Sequence, residues 1–361
     1  MKRKKVNSLV SIGDKKIGKD APTYVIAEMA WSHDGELEKA KKIVKGAGDA
    51  KADAICFHIT SMENYMVKDY RVPGSGASAA VGQKPLYEFL NEKNLSESDW
   101  AELFSQAKAE GLHILVMAND APSFEFSEKL HADGYIVAPA TIDELSLLEK
   151  LAKSGKSLFI RAGGATPEEV ERAIKIAKDA GNTNLSIIHG FQSFPTPLEE
   201  MNLCMMGSFK DRFGISVGFT DHTDGGSEMA LIIPLVAVGA GADLIEKHIT
   251  HDRSLKGVDF ESALDPKDFE KMVKGIREVG KSLGSASWKD LSEKELRYRK
   301  VARKNAVAKR DIKSGEAITL DDITFKRANG GLYADQLTVI LGKKAKKDLN
   351  KDDELYEDMF E

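Results

Sequence analysis

Cysteine is nearly absent. Cys56 and Cys204 are the only two in 361 residues, far apart and each set in apolar sequence, which argues against a disulfide framework or a cysteine-based zinc site and predicts reduced thiols. No run of eighteen apolar residues occurs, so a membrane-spanning helix is not expected. The basic N-terminus, MKRKKVNSLVSIGDKK, lacks a continuous apolar segment and a small-residue cleavage site. A secretory signal is therefore not expected, and the cytoplasm is the expected compartment. Nor does one sign of charge dominate: the net charge is −5, with lysines spread along the whole chain and no basic block interleaved with aromatics. That pattern disfavours a nucleic-acid partner and leaves small-molecule chemistry.

What is present suffices for a large ordered core. Hydrophobic residues make up 42% and charged residues 30%, outside the range of disordered chains, and the length predicts two domains, one of them a barrel. Short apolar runs recur every 25 to 30 residues or so, at Tyr24 to Glu28, Ala54 to His58, His113 to Met117, Gly134 to Ala138, Leu158 to Arg161, Leu185 to His189, Ser216 to Phe219 and Leu244 to His248. Between them lie helical patterns such as SESDWAELFSQAKAEG and TPEEVERAIKIAKDAG, opened by Ser or Thr with an acidic residue close behind and closed by Gly. Eight alternating units predict an α/β fold, a parallel (β/α)8 TIM barrel in preference to an open doubly wound sheet. The expected division is an N-terminal arm over 1–22, the barrel over 23–285, a polar linker over 286–300 and a small domain of short strands and turns over 301–361. The Gly, Ser and Ala cluster at 72–82 falls where an active-site loop of a barrel would lie.

Function in such a barrel gathers at the C-terminal ends of its strands. Those ends read Glu28, His58, Asn119, Arg161, Gln192, Asp221 with His222, and Glu246 with His248. In IEKHI a period of two puts Glu246 and His248 on one face and Lys247 on the other. Two histidines from neighbouring strands, with carboxylates nearby, suit a divalent metal of intermediate hardness. Mn, Zn and Fe are ions of that kind, whereas Mg or Ca would call for an all-oxygen site. His113, His131 and His251 read as structural histidines. Glu28 and Glu246 could be ordinary ion-paired carboxylates, but each ends an apolar run, where a buried charge needs a partner or a task.

The motifs YVIAEMAWSHDG, GFTDHT, IEKHITHDRSLKGVDFESALDP and VAKRDIKSGEAITLDDITFKR, in this order, resemble the family of N-acetylneuraminate, legionaminate and pseudaminate synthases, including its C-terminal antifreeze-like (SAF) domain. The resemblance implies condensation of phosphoenolpyruvate with an open-chain N-acetylhexosamine to give a nine-carbon 2-keto acid. It also implies a homodimer in which the SAF domain of one subunit caps the partner's barrel. His222 and His248 match the family's metal ligands. Glu28, Glu246 and Asp259 match residues that meet the sugar's hydroxyls, Arg327 matches the arginine that reaches the partner's site, and Phe194 stands where a tyrosine is usual.

The donor half departs from the family. Where KFQ is usual the chain has Cys56, Phe57 and His58, and where KIASG or KIGSG is usual it has Ile136, Val137, Ala138, Pro139 and Ala140, so two lysines are missing. Arg161 and Ala162 replace a small polar pair, and Gly190, Phe191 and Gln192 replace the usual run after the sixth strand. Each lost charge-assisted contact is worth about 1.5 to 3 kcal/mol toward a trianion. Two readings of Arg161 are open: an anchor for an anionic donor, or an ion pair with a neighbour such as Glu28. The leading expectation is a sialic-acid-synthase-like transferase in which Glu28 or Glu246 acts as acid or base, with His58 as a further proton carrier. The alternatives are an aldolase, lyase or isomerase that no longer uses phosphoenolpyruvate, and a non-catalytic sugar-binding subunit.

Overall fold

The computed structural model describes residues 9–70, 85–285 and 287–361. The chain divides into two units, Met1–Gly284 and Ser285–Glu361. In the first, strands β1 (Val10–Ile12) and β2 (Lys15–Ile17) form an antiparallel hairpin. Eight further strands follow: β3 (Tyr24–Ala30), β4 (Ala54–Ile59), β5 (His113–Ala118), β6 (Gly134–Val137), β7 (Ser157–Arg161), β8 (Leu185–His189), β9 (Ser216–Asp221) and β10 (Leu244–His248). They pair in parallel in chain order, and β10 pairs with β3, which closes the barrel. The expected eight runs are the eight barrel strands. Loop 72–82 lies outside the described residues.

Local chemistry starts the intervening helices as the sequence suggested. Ser96 caps helix Glu97–Ala109 and Thr166 caps helix Pro167–Asp179, each in a capping box with an acidic residue three positions on. Alternation along the strands then sorts side chains between two cores. Val25, Ala27, Ile55 and Phe57 pack outward in the layer beneath the helices. Tyr24, Ile26, Ala54, Cys56, Leu115, Met117, Ile136, Phe159, Ile188 and Leu244 fill the barrel's interior.

The hairpin belongs to that inner core: Val10, Ile12 and Ile17 pack with it. The segment expected to be an arm is thus fastened to the barrel by apolar burial and by Asp53. The Asp53 carboxylate accepts from Lys15 Nζ at 2.6 Å, from the Val25 amide at 2.7 Å and from Arg277 Nη2 at 2.6 Å. His113 lies close by, its Nδ1 2.9 Å from the Tyr24 hydroxyl and its ring stacked on that of Tyr24. Cys204 departs from expectation. It is exposed rather than set among apolar neighbours, whereas Cys56 is buried, and both are free thiols.

The second unit holds helix Glu293–Ala302, which occupies much of the stretch read as a linker, and an antiparallel pair, β11 (Asn305–Ala308) and β12 (Ile323–Lys326). Its small core includes Ala306, Ile312, Ile318, Ile340, Leu349, Leu355 and Phe360. Among the described residues no helix is long and apolar enough to cross a membrane.

Candidate active site at the barrel mouth

The same alternation that fills the lower barrel with Ile and Leu puts polar side chains inward at the strand ends: Glu28 on β3, His58 on β4, Arg161 on β7, Thr220 on β9, and Glu246 and His248 on β10. Arg161 is their centre. Its Nη2 donates to Glu28 Oε2 at 2.6 Å and also to Glu246 Oε1. Both carboxylates are 0% exposed and the arginine is 5% exposed, so the three charges interact with little screening. The ion pair with Glu28 is therefore present, and Glu246 is a second partner that the sequence did not indicate.

The two carboxylates differ in their remaining contacts. Glu28 Oε1 accepts from the Ala30 amide at 2.9 Å and lies 3.1 Å from His58 Nε2. Burial pushes Glu28 upward, but the charges of His58 and Arg161 outweigh it and hold this carboxyl well below the usual range. Glu246 Oε1 also accepts from the Thr220 hydroxyl at 2.7 Å, while its Oε2 is buried without a hydrogen-bond partner. For Glu246 burial prevails, aided by the neighbouring Glu28 charge, over the opposing pull of Arg161, so its affinity for a proton rises. One arginine thus holds a pair of acids whose affinities are pushed apart, the arrangement that separates an ionised group from a proton carrier.

Beside this cluster stand two neutral imidazoles. His222, one residue beyond β9, donates from Nδ1 to the Phe191 carbonyl at 2.8 Å, which leaves a lone pair on Nε2. Burial lowers its pKa to about 4. Burial lowers that of His248 well below normal too, the nearness of His222 further disfavours charge there, and neither His248 nitrogen has a hydrogen-bond partner. The ring centroids are 5.2 Å apart, and the Phe194 ring packs on the pair at 4.4 Å from His222 and 6.0 Å from His248. Neutral rings with available lone pairs, one oriented through its other nitrogen by a backbone carbonyl, fit a divalent metal ion.

A cavity of about 310 Å³ opens over these groups, with His58, Asn119, Arg161, Phe194, His248 and Asp259 in its wall. Asn119 is fixed by donation to Thr60 Oγ1 at 3.0 Å. Asp259 is held at φ +61° and accepts from the Trp31 amide at 3.4 Å, and burial raises its pKa to about 6. Gln192 packs over Gly163, where a Cβ would come within 2.9 Å of Gln192 Nε2 and 2.5 Å of the Gly190 carbonyl oxygen. Apart from Arg327, the candidate site residues singled out in the sequence all belong to the barrel unit. Arg327 lies in the other unit, exposed just after β12. His113, His131 and His251 are not among the cavity's wall residues. Lys247 points away from it as expected, buried against Asp221 at 2.8 Å and donating to the Thr223 carbonyl at 3.0 Å.

Sequence reasoning missed Thr220 and Cys56 as inward-facing residues of this mouth. The signal was their spacing of two from His222 and His58. Thr220→Val removes the hydroxyl that donates to Glu246 while keeping the shape. It is expected to cost about 1–3 kcal/mol in urea unfolding, with Thr220→Ser restoring most of the loss.

Comparison with known proteins agrees with this geometry. Residues 43–287 match the NeuB family and residues 303–361 match the SAF domain. The chain is 34% identical over 350 residues to an uncharacterized protein of Methanocaldococcus jannaschii, covering 97% of this chain and 98% of that one. It is 32% identical over 334 residues to the N,N'-diacetyllegionaminic acid synthase of Campylobacter jejuni, covering 92% and 98% of the two chains. Among solved structures it resembles an N-acetylneuraminic acid synthetase from Leptospira borgpetersenii, with a TM-score of 0.70 and 26% identity over 82% of this chain and 97% of that one. With its eight-stranded parallel barrel and its C-terminal SAF domain, this chain is a member of the NeuB family.

Proposed function

We propose that the protein is a carbon–carbon bond-forming transferase that joins an open-chain N-acetylhexosamine-type aldose to a three-carbon donor, phosphoenolpyruvate or a relative of it, giving a nonulosonic acid. The observation that carries this reading is the juxtaposition, at one barrel mouth, of two neutral histidines with available lone pairs and a buried pair of acids with divergent proton affinities. A divalent ion held by His222 and His248, Mn in the first instance, would supply Lewis-acid polarisation of the sugar's carbonyl. Glu246, with a free Oε2 and a raised proton affinity, is suited to deliver a proton to the oxygen that gains charge. Glu28, kept ionised by Arg161 and His58, holds both in register. His58, in the cavity wall beside Glu28, is placed to pass a proton, and Asp259 and Asn119 offer contacts for sugar hydroxyls. Phe194 supplies an apolar face and Gln192 an amide on the loops after the strands. Arg327 completes the sugar site from the SAF domain of a second copy. Two free thiols are in keeping with a cytoplasmic setting.

A second reading is favoured by one specific observation. Arg161 is the only arginine or lysine among the described residues of the cavity wall, and it is already held by two carboxylates. A trianionic donor would have to compete with those partners, whereas an aldolase, lyase or isomerase acting on the same sugar would not.

Phosphate release from phosphoenolpyruvate, measured with Mn²⁺, a panel of N-acetylhexosamines and the product's mass, separates the two. The first reading predicts sugar-dependent release with a nine-carbon acid, and a loss of at least a hundredfold in His222→Ala/His248→Ala. No release, with a family synthase active alongside, selects the second. Asp259 gives a pH signature. Its pKa of about 6 lies above the usual aspartate value, so the folded protein takes up its proton first as pH falls. Ionisation of this group opposes folding, and its contribution to stability declines as pH rises from about 4 through 6. If the carboxylate receives a sugar hydroxyl, kcat/KM for the sugar should climb through pH 6, and Asp259→Asn should flatten that limb. An unchanged limb in the variant removes Asp259 from the site.

A further inference from the structure

The register of β3 against β4 places Glu28 beside Cys56, and a bulge between Glu28 and Ala30 follows at once. The period of two then puts His58 on the same inward face as Cys56. As a result a carboxylate oxygen, a thiol sulfur and an imidazole nitrogen all lie within 4.8 Å of one another, the one such group of three or more among the described residues. Glu28 and Cys56 are 0% exposed. His58 Nε2 is sealed from solvent and makes no hydrogen bond of good geometry, although Glu28 Oε1 is 3.1 Å away. His58 also forms part of the cavity wall, so the cluster borders the space where substrate would sit.

We propose that Glu28, Cys56 and His58 form a second metal site that adjoins the His222–His248 pair, since Glu28 is the register neighbour of both Cys56 and His248, taking a thiophilic divalent ion such as Zn²⁺ or Fe²⁺, with its remaining position open to the cavity. The donor chemistry sets the class of ion. One sulfur, one nitrogen and one oxygen suit zinc or ferrous iron, whereas Mg²⁺ and Ca²⁺ want oxygen alone. A tetrahedral ion needs its ligand atoms about 3.3–3.8 Å apart, which small side-chain rotations reach from the present separations. The scarcity of cysteine argued against an all-cysteine site. It does not bear on a mixed set that uses one thiol.

Charge balances as well. Binding releases the Cys56 proton to solvent, so thiolate and Glu28 carboxylate offset the two positive charges. Arg161 meanwhile retains Glu28 Oε2, the oxygen that does not face His58. No oxidation or reduction is involved. Three protein ligands and one open position match metal sites that bind a substrate oxygen better than closed structural sites. Such an ion turns His58 from a proton carrier into a ligand and adds a cation to a cavity wall whose arginine is already paired. The proposal holds for either donor class considered above.

Cobalt substitution tests it without any assay of activity. Metal-free protein is titrated with Co²⁺ and the near-ultraviolet sulfur-to-cobalt charge-transfer band is recorded for the wild type, Cys204→Ser and His222→Ala/His248→Ala. The proposal predicts the band at one Co²⁺ per chain in all three, since the other site has no sulfur, and at least a tenfold weaker affinity in His58→Ala. With two cysteines in the chain, a band that survives Cys204→Ser reports Cys56 even if Cys56→Ser does not fold. No band in the wild type, or a band lost in Cys204→Ser, overturns it. Inactivity toward phosphoenolpyruvate with the band intact would count against the synthase reading alone.

Discussion

The barrel mouth depends on one guanidinium. Arg161 holds two buried carboxylates that would otherwise repel each other across a space with no water to screen them. The cluster tolerates its excess negative charge because the backbone and neighbours contribute: the Ala30 amide and His58 serve Glu28, and the Thr220 hydroxyl serves Glu246. Beneath it the apolar lower barrel, closed by the N-terminal hairpin, keeps the effective dielectric low and so amplifies every one of these contacts. The same burial that makes the cluster expensive is what separates the proton affinities of Glu28 and Glu246 and keeps His222 and His248 neutral.

Much of this was legible in the sequence, and for identifiable reasons. Period-two alternation in IEKHI correctly assigned Glu246 and His248 to the inside and Lys247 to the outside, because strand geometry permits no other outcome once the strand is placed. Ser96 and Thr166 announced their helices because capping is a local interaction, decided within four residues. Relations across the barrel were harder to read. That Arg161 would meet Glu246 as well as Glu28 depends on the interior being narrow enough for β7 to reach both β3 and β10, and no local pattern encodes that distance. The pairing of Glu28 with Cys56 likewise depends on register between strands, at positions 28 residues apart in sequence. Cys204 was misjudged because apolar neighbours in sequence, Leu203 and Met205, do not guarantee burial at a helix start.

The site therefore brings two kinds of group together. Neutral, desolvated imidazoles that can share lone pairs stand beside charged groups that can hold and release protons, with His248 two residues from Glu246 on one strand and in register with Glu28 on the next. A polyhydroxylated sugar with one electrophilic carbon fits such a division, since its carbonyl needs polarisation while its hydroxyls need oriented acceptors. Arg161, already engaged by Glu28 and Glu246, bears directly on which anion this mouth could accept.

The central claim, that Arg161 neutralises Glu28 and Glu246, is tested most directly by comparing the unfolding free energy of Arg161→Met with that of the triple variant Arg161→Met/Glu28→Gln/Glu246→Gln. Removing the arginine alone strands two buried carboxylates and should cost about 3–5 kcal/mol, while neutralising its partners at the same time should recover more than half of that loss. A single variant as stable as the wild type, or a triple variant less stable than the single one, would contradict the claim.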